Sequence, residues 1–236
     1  MANTFSLDLE LSSSQYAKIA DNASLSITGD LTIECWVKLE SLASTIGARQ
    51  FFVAKFEDNS NRRSFFFDQE NTTDKYGIGI YSDGSTLTSA LATSVLTTGV
   101  WTHIAVSYNA AAGTCAFYLN SVADGTGSSL ATSIHDNTSD FTIGASNTLS
   151  TPSRFVDGKI DEVRVWNDIR TAQEIAANYN KELVGNEANL VGYWKLNNDY
   201  LDETTNNNDL TASGSPVFST DVPFVGGGSG LQSKIW

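Results

Sequence analysis

Thiol and imidazole side chains are scarce in this sequence. It has two cysteines and two histidines in 236 residues, and the cysteines do not form a Cys-x-x-Cys pair. A zinc site of the kind that cysteine pairs build is therefore not expected. Cys35 and Cys115 each alternate with apolar residues in a strand-like run, which predicts two buried free thiols. A disulfide between them is the alternative.

Long apolar runs are absent as well. No stretch reaches the ~18 apolar residues that a membrane span needs. Residues 1–20 lack a basic segment followed by an apolar run, so no signal peptide is visible. These absences predict a soluble protein that is cytoplasmic, or that reaches a virion or the extracellular space by a route such as cell lysis.

Charge is sparse and mostly of one sign. Charged residues make up 17% of the chain, and the formal net charge is −13. An acidic surface repels nucleic-acid phosphates and anionic membranes, so neither is an expected partner. The same charge is compatible with divalent cations and neutral sugars, and it would also simply keep a β-rich protein soluble.

Short β-branched and aromatic runs, separated by turn residues, make up most of the chain. They predict strands over residues 6–11, 16–19, 31–39, 51–55, 64–69, 76–82, 89–94, 101–109, 114–119, 141–143, 158–166 and 192–195. Regularly spaced short strands are typical of a sandwich or a barrel. A chain of this length can form one such domain with a single core.

One segment has a helical pattern. Thr171 and Glu174 have the spacing of a capping box, and Ile175, Tyr179 and Leu183 recur every four residues as one apolar stripe. The sequence therefore predicts a short amphipathic helix over residues 172–183 that lies against the sandwich.

Four sequence phrases and this helix carry a family resemblance. The phrases are DLTIECWVK at 30–38, GVWTHIAV at 99–106, AFYLN at 116–120 and GKIDEVRVWN at 158–167. In this order and spacing, the chain resembles the laminin-G-like family of the concanavalin A-like lectins and glucanases, including the pentraxins. The resemblance implies an all-β fold, a two-sheet antiparallel jelly-roll sandwich with one short amphipathic helix.

The end of the chain departs from the usual family order. Residues 192–196, GYWKL, and the stretch up to 211 look like the phrase that opens such domains, but here they close one. We expect the chain to complete its own sandwich in permuted order; the alternative is a second, truncated repeat. The domain is predicted over residues 1–224, and a glycine-rich linker with a short apolar tail over 225–236.

Catalytic carboxylates are hard to place in this sequence. Glycosidases of this fold resemble one another in a strand with Glu-x-Asp-x-x-Glu, and this chain has no such run. The nearest candidates are Asp68 and Glu70, which would share one face of a strand. His103 and His135 have no recognisable nucleophile partner. We expect a protein that is not an enzyme; a concanavalin-like glycoside hydrolase that uses Asp68 and Glu70 is the alternative.

The resemblance also implies a structural calcium ion (Ca2+). Several relatives hold one with an aspartate at the place of Asp161. The loop residues expected to complete the site here are Asp21, Asn22 and Asp30. Ordinary turn chemistry is the alternative role of these loop residues.

A second place for calcium would be a ligand site. The loop Glu57, Asp58, Asn59 resembles the pentraxin ligand loop, in which Asp is followed by Asn. Ala145-Ser146-Asn147 stands where pentraxins add further carboxylates, so two of the pentraxin ligands are missing.

Two functions follow from these observations. As a binding module, the domain would hold a glycan or glycoprotein, with Phe56 or Tyr81 as loop platforms for sugar stacking. As a structural subunit of a phage or other extracellular particle, it would act through homo-oligomer contacts, with the apolar tail at 231–236 docked on a neighbouring copy. The fold by itself does not decide between them.

Overall fold

A computed structural model of the chain describes residues 3–58, 61–147 and 151–224. The predicted linker and tail at 225–236 lie outside the described residues. The elements, in chain order, are β1 (Ser6–Leu9), β2 (Tyr16–Ile19), β3 (Leu31–Leu39), α1 (Ala43–Ile46), β4 (Gln50–Phe56), β5 (Arg63–Gln69), β6 (Lys75–Tyr81), β7 (Leu87–Val95), β8 (Thr102–Asn109), β9 (Thr114–Leu119), β10 (Val122–Gly127), β11 (Phe141–Ile143), β12 (Gly158–Trp166), α2 (Ala172–Asn178), β13 (Leu190–Trp194), β14 (Thr211–Ser213) and β15 (Val217–Ser219).

The strands form two antiparallel sheets packed face to face. The eight-stranded sheet has the order β10-β9-β8-β3-β12-β1-β15, with β13 beside β1 along the same edge of β12. The seven-stranded sheet has the order β14-β2-β11-β4-β5-β6-β7. This is the all-β, two-sheet jelly-roll sandwich that the sequence predicts.

Alternation along each strand builds the core between the sheets. In β3 the odd-numbered residues from Leu31 to Leu39 are buried in the main core, and Phe65 and Phe67 of β5 face the same core from the other sheet. Cys35 and Cys115 are both buried there as free thiols, which confirms that prediction. Burial raises the pKa of the Cys115 thiol to about 11.

The C-terminal part of the chain completes the sandwich. β13 pairs with β12, β14 with β2, and β15 with β1, so residues 190–219 extend both sheets. Trp194 and Leu210 enter the main core. The chain thus completes its own sandwich, as in the first of the two alternatives raised by the sequence.

Helix α2 begins as predicted and ends early. Thr171 and Glu174 form the capping box, but the helix stops at Asn178, five residues before the predicted end. The carbonyl groups of its last residue and of the next one accept hydrogen bonds from side chains of the sheet below: Arg164 Nη1 donates to the Asn178 oxygen at 3.0 Å, and Trp36 Nε1 to the Tyr179 oxygen at 2.7 Å. No helix of the described residues is long and apolar enough to cross a membrane.

Candidate functional site

The outer face of the eight-stranded sheet is covered by the chain itself. Helix α2 and the residues that follow it lie on this face, and a buried ionic network holds them there. Glu34 is at its centre: it accepts hydrogen bonds from Trp166 Nε1 at 3.0 Å and lies 3.1 Å from His103 Nε2. Arg164 pairs with Glu162 at 2.7 Å and with Glu34 at 3.7 Å.

The charged groups of this network stabilise one another and the fold. Burial alone would raise the pKa of Glu34, but Arg164 and His103 beside it bring it down to about 2. Burial lowers the pKa of His103, against the pull of Glu34. His103 is 1% exposed, so it cannot reach a substrate. His103 is part of the buried network that holds helix α2 on this face.

On strands β4, β5 and β6, the outer face of the seven-stranded sheet carries four aromatic side chains, which we call the aromatic layer: Phe51, Phe56, Phe66 and Tyr81. Phe51 and Phe66 stack with ring centroids 4.6 Å apart, and Phe56 meets Phe51 edge-on at 5.4 Å. Tyr81 lies 5.8 Å from Phe56. The layer joins strands β4, β5 and β6 on the side away from the core.

The strand sequences explain why these rings point outward. Phe65 and Phe67 face the core, so Phe66 between them must face out. The ring of Phe66 can lie flat on the sheet only if the neighbouring side chains are small. The residues paired with Phe66 on the adjacent strands are Ala54 on β4 and Gly79 on β6. Small side chains on both neighbouring strands therefore let a large ring lie on the sheet.

Three arginines cover the rings, and we call them the arginine layer. Arg49 lies over Phe66 with Cζ 5.6 Å from the ring centroid. Arg63 lies over Phe56 and Tyr81 at 5.7 and 5.8 Å. Arg154 lies over Phe51 and Phe56 at 5.3 and 5.2 Å. Guanidinium groups at these distances are attracted to the ring faces.

The arginine side chains form the outer surface of this face. They are between 26% and 29% exposed, whereas every ring of the aromatic layer is at most 6% exposed. A ligand that approaches the face would therefore meet guanidinium groups first, each backed by an aromatic ring.

Two carboxylates pair with the arginine layer, Asp58 at its exposed rim and Asp68 buried beneath it. Asp68 Oδ2 accepts from Arg49 at 2.6 Å. Asp58 Oδ2 accepts from Arg154 at 2.5 Å, and its Oδ1 is 3.9 Å from Arg63. Burial raises the pKa of Asp68 to about 7, although Arg49 acts in the opposite direction. Asp58 therefore offers exposed acceptors beside the guanidinium donors, whereas Asp68 is buried beneath Arg49.

The predicted ligand residues meet different partners from those expected. Asp58 lies at the rim of the arginine layer, and Glu57 pairs with Arg62 Nε at 2.5 Å; Asn59 lies outside the described residues. In this loop the carboxylates that the pentraxin resemblance implies as calcium ligands pair with arginine side chains. Phe56 and Tyr81 do come together, but they are strand residues under Arg63 and not exposed loop platforms.

The predicted structural calcium site is not assembled. In the register of β12 and β3, Asp161 is opposite Trp36; Asp30 is six residues earlier, about 20 Å along an extended chain. Asp161 accepts from Asn3 at 2.8 Å and Asp30 from the Ala110 backbone at 2.9 Å.

The two loop residues of that predicted site also have local partners. Asp21 pairs with Lys55, and Asn22 caps the short turn at Ser24. Across the described residues, no three His, Cys, Asp or Glu side chains are placed to hold a metal ion. The four residues are not brought together as one donor set, and each has a partner of its own.

Asp68 and Glu70 do not form a catalytic pair. Asp68 is fully buried under Arg49. Glu70 lies beyond the end of β5, where both its oxygens accept hydrogen bonds from Thr72 and Thr73. Burial acts to raise the pKa of Glu70, but these hydrogen bonds hold it below its usual value. Neither carboxylate is free to meet a sugar ring.

Comparison with known proteins agrees with this architecture. Among curated protein sequences, none matches the chain. A candidate carbohydrate-binding protein from Bacteroides ovatus has a similar structure, with a TM-score of 0.73 and 17% identity over 95% of this chain. The chain spans 62% of the length of that protein.

Two further structures share the fold. The heptameric SAP-like pentraxin of Limulus polyphemus has a TM-score of 0.63 and 10% identity, covering 92% of this chain and 94% of the pentraxin. The CBM40 of Ruminococcus gnavus IT-sialidase, bound to α2,3 sialyllactose, has a TM-score of 0.55 and 13% identity, covering 75% of this chain and 98% of that domain. A family model matches residues 11–176, more than half of the sequence, and the chain therefore belongs to the concanavalin A-like lectin/glucanases superfamily.

Proposed function

We propose that the chain is a non-catalytic carbohydrate-binding module whose ligand face is the outer surface of the seven-stranded sheet. The observation that carries this proposal is the arginine layer stacked on the aromatic layer, on the face that helix α2 leaves open. The other face is occupied by helix α2 and the Glu34 network.

The chemistry of this face suits a saccharide. Hydroxyl groups both donate and accept hydrogen bonds, and arginine next to carboxylate offers both partners. The rings that lie under the arginines belong to strands β4, β5 and β6, which hold side chains more firmly than loops do. The candidate carbohydrate-binding protein from Bacteroides ovatus and the CBM40 bound to sialyllactose support the same class of ligand.

The experiment is binding of fluorescently labelled protein to an array of neutral and acidic glycans. We expect at least one class of glycan to be retained, and Arg154→Ala to reduce that binding. Arg170→Ala is the matched control: Arg170 also stacks on an aromatic ring, 4.2 Å from the centroid of Trp166, but on the covered face. Loss of binding in both variants, or no retained glycan at all, contradicts the proposal.

Self-assembly is a second candidate function. Leu87, Leu91 and Val95 are exposed along β7, the edge strand of the seven-stranded sheet, at 42%, 36% and 53%. Exposed apolar residues on an edge strand favour association, and the similar Limulus polyphemus pentraxin is heptameric. Light scattering tests it: a defined oligomer that dissociates in Leu91→Lys supports assembly, and a monomeric wild type contradicts it.

A further inference from the structure

We propose that the ligand of this face is an acidic saccharide, held through a sugar carboxylate by the arginine layer. This inference rests on the proposed function and narrows it from glycans in general to carboxylated ones. Three features support it: the concentration of arginines on this face, their stacking on aromatic rings, and the contacts that the Asp58 carboxylate makes with two of them.

The arginines are concentrated on this face. The chain has six, of which four lie in or beside the arginine layer: Arg49, Arg62, Arg63 and Arg154. They face three carboxylates, Glu57, Asp58 and Asp68. With Glu70, which also acts on Asp68, the positive and negative charges here balance, whereas the whole chain has a net charge of −13.

The guanidinium groups are held in place before any ligand arrives. Each lies over one or two rings, so part of the conformational entropy that arginine loses on binding is already spent in folding. The aromatic layer below is itself buried and rests on strands. Arginine held in this way can present two parallel N–H donors to a carboxylate, which lysine cannot do.

Asp58 shows how a carboxylate is received. Its two oxygens are shared between Arg154 at 2.5 Å and Arg63 at 3.9 Å, and its side chain is 38% exposed. A carboxylate carried by a sugar would have the same size and charge as this group. It could therefore bind beside Asp58 or replace it, while the sugar ring spreads over the neighbouring arginines.

The overall charge favours a saccharide with isolated carboxylates over a dense polyanion. Strong negative charge elsewhere on the chain repels a nucleic acid or another long polyanion. A short oligosaccharide needs only the local surface. The carboxylate can come from a uronic acid within a chain or from a terminal sialic acid, and both present the same planar group to arginine.

Titration calorimetry at low ionic strength separates these sources. The probes are trigalacturonate with its carboxyl-reduced form, and α2,3 sialyllactose with lactose. We expect at least one acidic probe to bind about tenfold or more tightly than its neutral partner, the factor of a charge-assisted hydrogen bond. The uronate pair and the sialyllactose pair show which source is preferred.

Variants decide whether the arginine layer is responsible. Arg154→Ala should remove the preference for the acidic probe, Arg154→Lys should restore only part of it, and Arg170→Ala should leave it unchanged. Thermal melting of each variant shows that it is folded. Equal binding of acidic and neutral partners overturns this inference and leaves carbohydrate binding intact. Absence of binding to every probe and to the glycan array overturns both.

Discussion

The ring of Phe66 lies against the backbone of Gly79, so closely that a Cβ added to that glycine would be 2.2 Å from the ring Cζ. This contact sets the height of the aromatic layer above the seven-stranded sheet. Because Arg49 lies over the same ring, the position of an exposed cation depends on the absence of one methyl group on the neighbouring strand.

Substituting Gly79→Ala should therefore destabilise the fold and disturb the proposed ligand face together. We expect a loss of about 1–3 kcal/mol in the free energy of unfolding, as for an overpacked site, and weaker glycan binding. Urea denaturation and calorimetry measure the two effects. Gly29→Ala is the matched control, since no atom lies within 4 Å of its added Cβ. Equal stability of Gly79→Ala and wild type would show that the ring has room to move.

Asp68 should make stability depend on pH. Its pKa is about 7 in the folded chain and about 4 in an unfolded one, so between these values the folded state holds a proton that the unfolded state has released. The stabilising contribution is full below about pH 4 and is lost as the pH rises through 7.

The variant Asp68→Asn cannot ionise and should lose this dependence. Relative to wild type, its free energy of unfolding should improve as the pH rises from about 5 to about 8. Urea denaturation across this range measures the difference between the two proteins. A difference that stays constant with pH would contradict the raised pKa of Asp68.

Removing Glu34 should be costly, because it leaves Arg164 with one carboxylate fewer in a buried network. Glu34→Ala is expected to lower the free energy of unfolding by about 3–5 kcal/mol. The control is Glu40→Ala, whose carboxylate pairs with Lys159 at 2.9 Å on the surface with its side chain 46% exposed. That surface pair should contribute about 0–1 kcal/mol. Similar losses in both variants would mean that the network does not hold the covered face.

Metal removal should leave the domain unchanged. Asp161 already accepts from Asn3 and from the Glu162 backbone at 2.9 Å, and the other predicted ligands are paired elsewhere. We expect the same melting temperature before and after treatment with a chelator, and no rise on adding calcium at saturating concentration. A rise that Asp161→Asn abolishes would restore the calcium site that the sequence predicted.

Most strands of this chain can be predicted from the local sequence. Every strand predicted from alternation overlaps one in the structure, since alternation reports directly which side of a strand meets the core. The strands that sequence reasoning missed are β10, β14 and β15. β10 contains Asp124, Gly125 and Gly127, residues that are poor strand formers, and the other two are three residues each. Their pairing is decided by neighbours already in place.

The proposed ligand face could be predicted from the sequence only in part. Phe56 and Tyr81 were identified as candidates, but Phe51 and Phe66 were not, although an aromatic residue between two core-facing ones, as in Phe65-Phe66-Phe67, signals an aromatic outer face. Arg154 is 91 residues from Arg63 in the sequence, and no local pattern relates them. The loop before β12 brings Arg154 over Phe56, beside Arg63 on β5.

By itself, the sequence determined the all-β class and which residues of each strand face the core. It also determined the capped start of helix α2 and the burial of both thiols. These features depend on residues near one another in the chain. Tertiary structure alone decided where the charges meet. It ended the helix at Asn178 by giving nearby carbonyls to Trp36 and Arg164, and it separated Asp161 from Asp30 along two strands. It also gathered three distant arginines on one sheet, because charge pairing acts through space and takes its partners from whichever strands the fold makes neighbours.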